Sequence, residues 1–110
     1  MDSRETRLAR NETLFREVNE RIEDAVGPAN RDDGHVLEFF CECSNTDCTL
    51  LLPLTIAEYE VARSDPRQFI VALGHELPDI ENVVARTGRY QLVTKYGEAA
   101  EFVAERDPRS

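Results

Sequence analysis

The 110-residue chain lacks three things: an apolar run long enough to span a bilayer, an apolar segment behind its charged start, and a cluster of basic side chains beside its cysteines. The first absence excludes a membrane-spanning helix. The second makes the opening MDSRETRLAR unlike an export signal, so a reducing cytoplasm is the expected compartment. The third bears on partners. With 22 acidic against 13 basic residues the formal charge is −9, and a phosphate backbone calls for a basic face. The balance therefore argues against direct nucleic-acid binding and for a protein partner. Repeats and low-complexity segments are also missing, so one modest core in one domain is expected.

Cysteine is scarce, and all of it is in one place. Cys41, Cys43 and Cys48 fall within VLEFFCECSNTDCTLLLPL, where an apolar strand leads in and another leads out. Buried cysteines acting as small hydrophobes would be scattered through the core rather than gathered in a polar turn. A disulfide would leave one thiol over, and the expected compartment is reducing. A redox or nucleophilic cysteine with His75 as base has the residue types but no supporting motif.

Thiolates are soft donors suited to zinc, and a tetrahedral structural site needs four N or S ligands. His75 follows Gly74 at the exit of the apolar run Phe69 to Leu73, which makes it the preferred fourth donor. His35, in the polar stretch before the first strand, Asp47 and a water are the alternatives. Residues two apart on a regular strand lie about 7 Å apart on one face. The Cys-x-Cys spacing therefore requires the strand to break at Glu42. Ser44, Asn45, Thr46 and Asp47 are turn formers able to wrap the loop. A structural zinc contributes about 10–16 kcal/mol in small zinc-finger peptides, comparable to the whole stability of a domain this size, so folding is expected to depend on the ion.

Around this knuckle the pattern predicts an α+β single domain with a short mixed or antiparallel sheet. Its parts are an N-terminal amphipathic helix (1–27), a linker (28–35), the knuckle and α+β core (36–104) and a frayed tail (105–110). In the helix, Leu8, Phe15, Val18, Ile22 and Ala25 recur at helical spacing, with Leu14 and Val26 widening the stripe. Glu12 with Arg16 and Glu17 with Arg21 are i,i+4 pairs, and Gly27-Pro28 stops the helix. The stripe is expected to lie on the sheet and close the core. The other reading is that Leu8, Asn11, Phe15, Val18 and Ile22 dock a partner protein or a second copy, with Asn11 either facing solvent or setting register.

Farther along, Leu54-Thr55-Ile56-Ala57-Glu58-Tyr59 carries a capping box, Thr55 with Glu58, and a hydrophobic staple, Leu54 with Tyr59. That helix should run to about Arg63 and end at Ser64-Asp65-Pro66. Gln68 to Leu73 reads as a central strand. Pro78 to Thr87 fits either element. Ile80, Val83 and Val84 favour a short helix, with Pro78 and Asp79 in its first turn and Gly88 past its end. Tyr90 to Tyr96 alternates as a strand, and Glu98 to Ala104 reads as a helical turn or two.

Two segments, ARNETLFREVNERIE and FFCECSNTDC followed by PLTIAEYEVARSDPRQFIVALGHE, resemble a family of short bacterial proteins of uncharacterised function. These share the helix, the CxCx4C knuckle, an LT-x-x-EYE helix and a GHE segment. The resemblance covers most of the chain and implies that Cys41, Cys43, Cys48 and His75 belong to a shared pattern. It brings no activity and no partner.

Three functions follow from the residues. A closed set of thiolates suits a non-enzymatic zinc-stabilised interaction or regulatory module. A zinc hydrolase or cysteine enzyme would need a base, for which Glu76 or Glu42 is placed. A factor acting on the transcription machinery through protein contacts is the third.

Overall fold

The computed structural model describes residues 4–26, 34–43, 45, 47–78 and 80–109, without the side chains of residues 5 and 6. The Gly27-Pro28 stop, most of the linker, and Ser3, Ser44, Thr46, Asp79 and Ser110 lie outside them. The elements in order are α1 (Arg4–Val26), β1 (Val36–Phe40), β2 (Leu51–Thr55), α2 (Ile56–Ala62), β3 (Gln68–Val71), β4 (Glu81–Arg86), β5 (Gln91–Lys95) and α3 (Gly97–Glu105). This is an α+β fold with a long N-terminal helix and two small antiparallel sheets, β1-β2 and β3-β5-β4.

In the first sheet Phe39 faces Leu52 and Leu37 faces Leu54, and Phe39 stacks on Tyr59 of α2 with ring centroids 4.4 Å apart. Thr55 and Glu58 close the capping box in both directions, at 2.8 and 3.1 Å. The α2 helix therefore starts where its local chemistry dictates, and Leu54 and Tyr59 are both buried in the core. In the second sheet β5 lies in the middle, and Phe69, Ile70, Val71 and Val93 are fully buried.

Four expectations are corrected. Residues 81–86 form strand β4 rather than a helix, because pairing with β5 satisfies their backbone. The helical tendency survives in one turn, where Ile80 and Glu81 N–H groups both donate to the Leu77 carbonyl. A register shift between Val83 and Ala85 sets Val84 out of step, which is why the apolar spacing is not period two. Strand β3 is not central among the three, and its second edge is met by the knuckle. Residues past α3 are held rather than frayed. Asp107 pairs with buried Arg63, and Arg109 donates to Glu20 at 2.6 Å and Glu60 at 2.6 Å.

The fourth correction concerns α1. The helix does close the core, but mainly with its polar face, Ala9 and Ile22 being its apolar contacts with the core cluster. Glu12, Arg16, Asn19 and Glu23 are buried, while Leu14 is 54% and Val18 41% exposed. The cause is where the helix crosses. Its inner face meets strand edges, and edges present backbone donors and acceptors that apolar side chains cannot satisfy. Asn19 pairs with both backbone groups of Phe40, accepting from its N–H at 2.7 Å and donating to its carbonyl at 2.9 Å. Arg16 donates to the carbonyls of Pro66 at 2.6 Å and Gln68 at 3.0 Å, with its guanidinium 3.8 Å over the Phe69 ring. Glu12 accepts from buried Lys95 at 2.5 Å, and Glu81 takes the same ammonium from the other side. Glu12 and Arg16 are thus not the surface pair their spacing suggested.

Candidate metal centre

The centre is built by a hairpin whose loop is too polar to be core. Past β1 the Cys41 N–H still donates to the Leu50 carbonyl at 3.0 Å, adding one rung to the β1-β2 ladder. There the strand breaks. The Glu42 N–H turns away from β2 to the Ile70 carbonyl of β3 at 2.8 Å, and the Glu42 carboxylate accepts from the Ile70 N–H at 3.0 Å and from Asn19 at 2.9 Å. Glu42 therefore extends the free edge of β3 with one backbone and one side-chain bond. On the return limb the Asn45 side chain accepts from the Asp47 N–H at 2.9 Å and its carbonyl from the Cys48 N–H at 3.0 Å. This is the local capping expected of Asn in a tight turn.

His75 arrives from the other sheet. After β3 the chain reverses through Leu73-Gly74, with the His75 N–H donating to the Ala72 carbonyl at 3.0 Å. Gly74 has φ of +83°, a value that favours glycine and the third position of a type II turn. The turn aims the imidazole at the hairpin.

The ligand atoms of Cys41, Cys43, Cys48 and His75 all lie within 4.8 Å of one another. His75 Nδ1 is 3.6 Å from Cys41 Sγ and 3.7 Å from Cys48 Sγ. In a tetrahedral site with metal–sulfur bonds of about 2.3 Å and a metal–nitrogen bond of about 2.0–2.1 Å, S···N separations come to about 3.5 Å. The two S···N separations already stand near the spacing one ion would impose, and the other donor pairs lie within 4.8 Å. Cys41 and Cys43 are buried and Cys48 is half-buried. The Ala72 N–H donates to Cys41 Sγ at 3.2 Å, which favours a thiolate and fixes its direction.

Crowding splits the thiols. The bond from Cys41 lowers Cys43 to about 5 against the opposing effect of burial, and His75 adds a smaller lowering contribution. The same Cys41–Cys43 bond, with burial, pushes Cys41 up, and burial raises Cys48. Three thiols this close share protons because three bare negative charges repel, whereas a bound dication would hold all of them as thiolates. The donor set fits such an ion.

The alternative donors are not brought in. His35 and Asp47 are exposed and outside the cluster. Glu76 lines a shallow depression with Cys43, Asn45 and His75. Its carboxylate accepts from Gln91 Nε2 at 2.8 Å and lies 3.8 Å from Arg86, partners that hold it below the usual carboxylate range. Glu42 is fully buried, and burial raises it despite nearby Arg16. Both candidate bases are already engaged.

No family model, curated protein or solved structure matches the chain. Its function rests on its own geometry. Sequence reasoning picked out the four residues that cluster but missed Asn19 and Glu42 as the groups that fix the knuckle against β3, and Arg16 as the group that holds the start of β3 to α1. For Arg16 and Asn19 the one signal was a polar stripe at 12, 16, 19 and 23, which on most helices marks the solvated face.

Proposed function

We propose that the chain is a zinc-stabilised protein-interaction module without catalytic activity of its own. The observation that carries this reading is the gathering of three sulfurs and one nitrogen within 4.8 Å of one another, close enough to share a single tetrahedral ion. Zinc is favoured over harder cations by the thiolate majority, and a closed Cys3His set is the pattern of structural rather than catalytic sites. A catalytic zinc would keep a position open for water, and accumulated thiolate charge would make the ion a weak Lewis acid. The engagement of Glu76 and Glu42 supports the same reading. A protein partner in a reducing cytoplasm, rather than a nucleic acid, completes the proposal, given the charge of −9.

The test is elemental analysis of purified protein, followed by chelation under circular dichroism. One zinc per chain, and loss of near-UV and then far-UV signal as the chelator removes it, is the expected result. Folded, metal-free protein with three freely titrating thiols would overturn the proposal.

A further inference from the structure

The outward face of α1 is the least explained surface of the molecule. Leu14 and Val18 lie along its centre at 54% and 41% exposure, flanked on one side by half-buried Leu8, Phe15 and Ile22. On the other side lie Arg10, Glu17 and Asp24, all exposed. The charges run against the helix's own dipole. Arg4, Arg7 and Arg10 occupy the N-terminal half, where anions are favoured, while the last turn holds Glu23 and Asp24 and no basic residue, with Glu20 and Arg21 just before it. Glu20 and Glu23 are used inward by Arg63 and Arg109, which leaves Glu17 and Asp24 outward.

We infer that this face pairs with the same face of a second copy of the chain, the two α1 helices antiparallel about a two-fold axis near residues 15–17. Taking Leu14 and Val18 as central seam positions, the antiparallel register sets Leu14 against the copy's Val18, with Asn11 against Arg21 and Arg7 against Ala25 as the polar ends of the seam. The same register brings Leu8 to Ile22 and Phe15 to Phe15. It also sets Arg10 against Asp24 on both sides of the axis. A parallel pair would instead put Arg7 and Arg10 beside their own copies. The two symmetry-related Arg10–Asp24 pairs are the attractive charge contacts of this arrangement. One like-charge contact remains, Glu17 with Glu17 at the axis. A contact confined to one helix face falls at or below the about 1,200 Å² of a stable interface, so the dimer is concentration-dependent. This names a partner for the interaction module proposed above.

Sedimentation velocity of the metal-loaded full chain, from about 10 µM to about 1 mM, tests it. The mass should rise from 12.5 kDa towards twice that value. Val18→Asp should stay monomeric with unchanged circular dichroism and metal content, since the side chain is exposed. Arg10→Asp should weaken association by about tenfold or more, and Arg10→Asp combined with Asp24→Arg should restore it. Glu17→Gln should tighten it severalfold. A wild-type chain monomeric throughout, a mass beyond two copies, or a double charge swap that fails to recover association would each overturn the pairing. Metal content on the same samples separates this failure from failure of the zinc module.

Discussion

The buried charges are where single residues reveal the most. Lys95 lies between Glu12 and Glu81 with none of the three side chains more than 1% exposed. Burial raises Glu12 well above its ordinary value of 4.5, with Lys95 only partly opposing this and Glu81 adding to it. A carboxyl raised on folding binds its proton more tightly in the native state, so its contribution to stability falls as pH rises from 4.5 through the folded value. Glu12→Gln keeps an acceptor for Lys95 and removes the titration. Urea unfolding of both proteins between pH 5 and 9 should show wild type losing ground to the variant as pH rises; a constant difference would contradict the assignment. Gly74 is the second informative residue. A Cβ there meets nothing within 4 Å, so Gly74→Ala isolates the left-handed backbone cost of about 1–2 kcal/mol. Chemical denaturation of the loaded protein should show that loss, together with weaker metal retention because the same turn aims His75.

Among the elements, α1 separates what local sequence reveals from what it does not. The capping box of α2 was legible because all its partners lie within four residues. The four clustered donors were legible because three share one loop and the fourth follows a glycine at a strand exit. The orientation of α1 was not, because hydrophobic patterning assigns the apolar stripe to the core, whereas Phe40, Pro66 and Gln68 offer backbone groups that only a polar face can satisfy. Strand β4 was obscured for a similar reason. Ile80, Val83 and Val84 fit helical spacing, and the bulged pairing with β5 that decides the matter is not local. The edge role of α1 is tested by Asn19→Ala, which strands both polar groups of Phe40 and one bond of Glu42. It should cost about 2–4 kcal/mol, measured by urea unfolding with zinc in excess. A loss under about 0.5 kcal/mol, the level of an ordinary surface substitution, would mean that water replaces the amide and the helix does not cap β1.

For the whole molecule the decisive relation is between the two sheets. In sequence the hairpin and the β3-β5-β4 sheet are joined through α2. In space they are also bridged by Glu42 on β3, by the Ala72 N–H on Cys41, and by His75 facing Cys41 and Cys48. An ion among these donors would fasten the loop of one sheet to the exit of the other. It would do so in a chain that buries an unusual number of charged groups, each carrying a desolvation cost. X-ray absorption at the zinc edge of the purified, loaded protein tests this most directly. The account predicts three sulfur neighbours at about 2.3 Å and one nitrogen at about 2.0–2.1 Å, with the nitrogen lost in His75→Ala. Fewer than three sulfurs, an oxygen in place of the imidazole, or a spectrum unchanged by His75→Ala would contradict it.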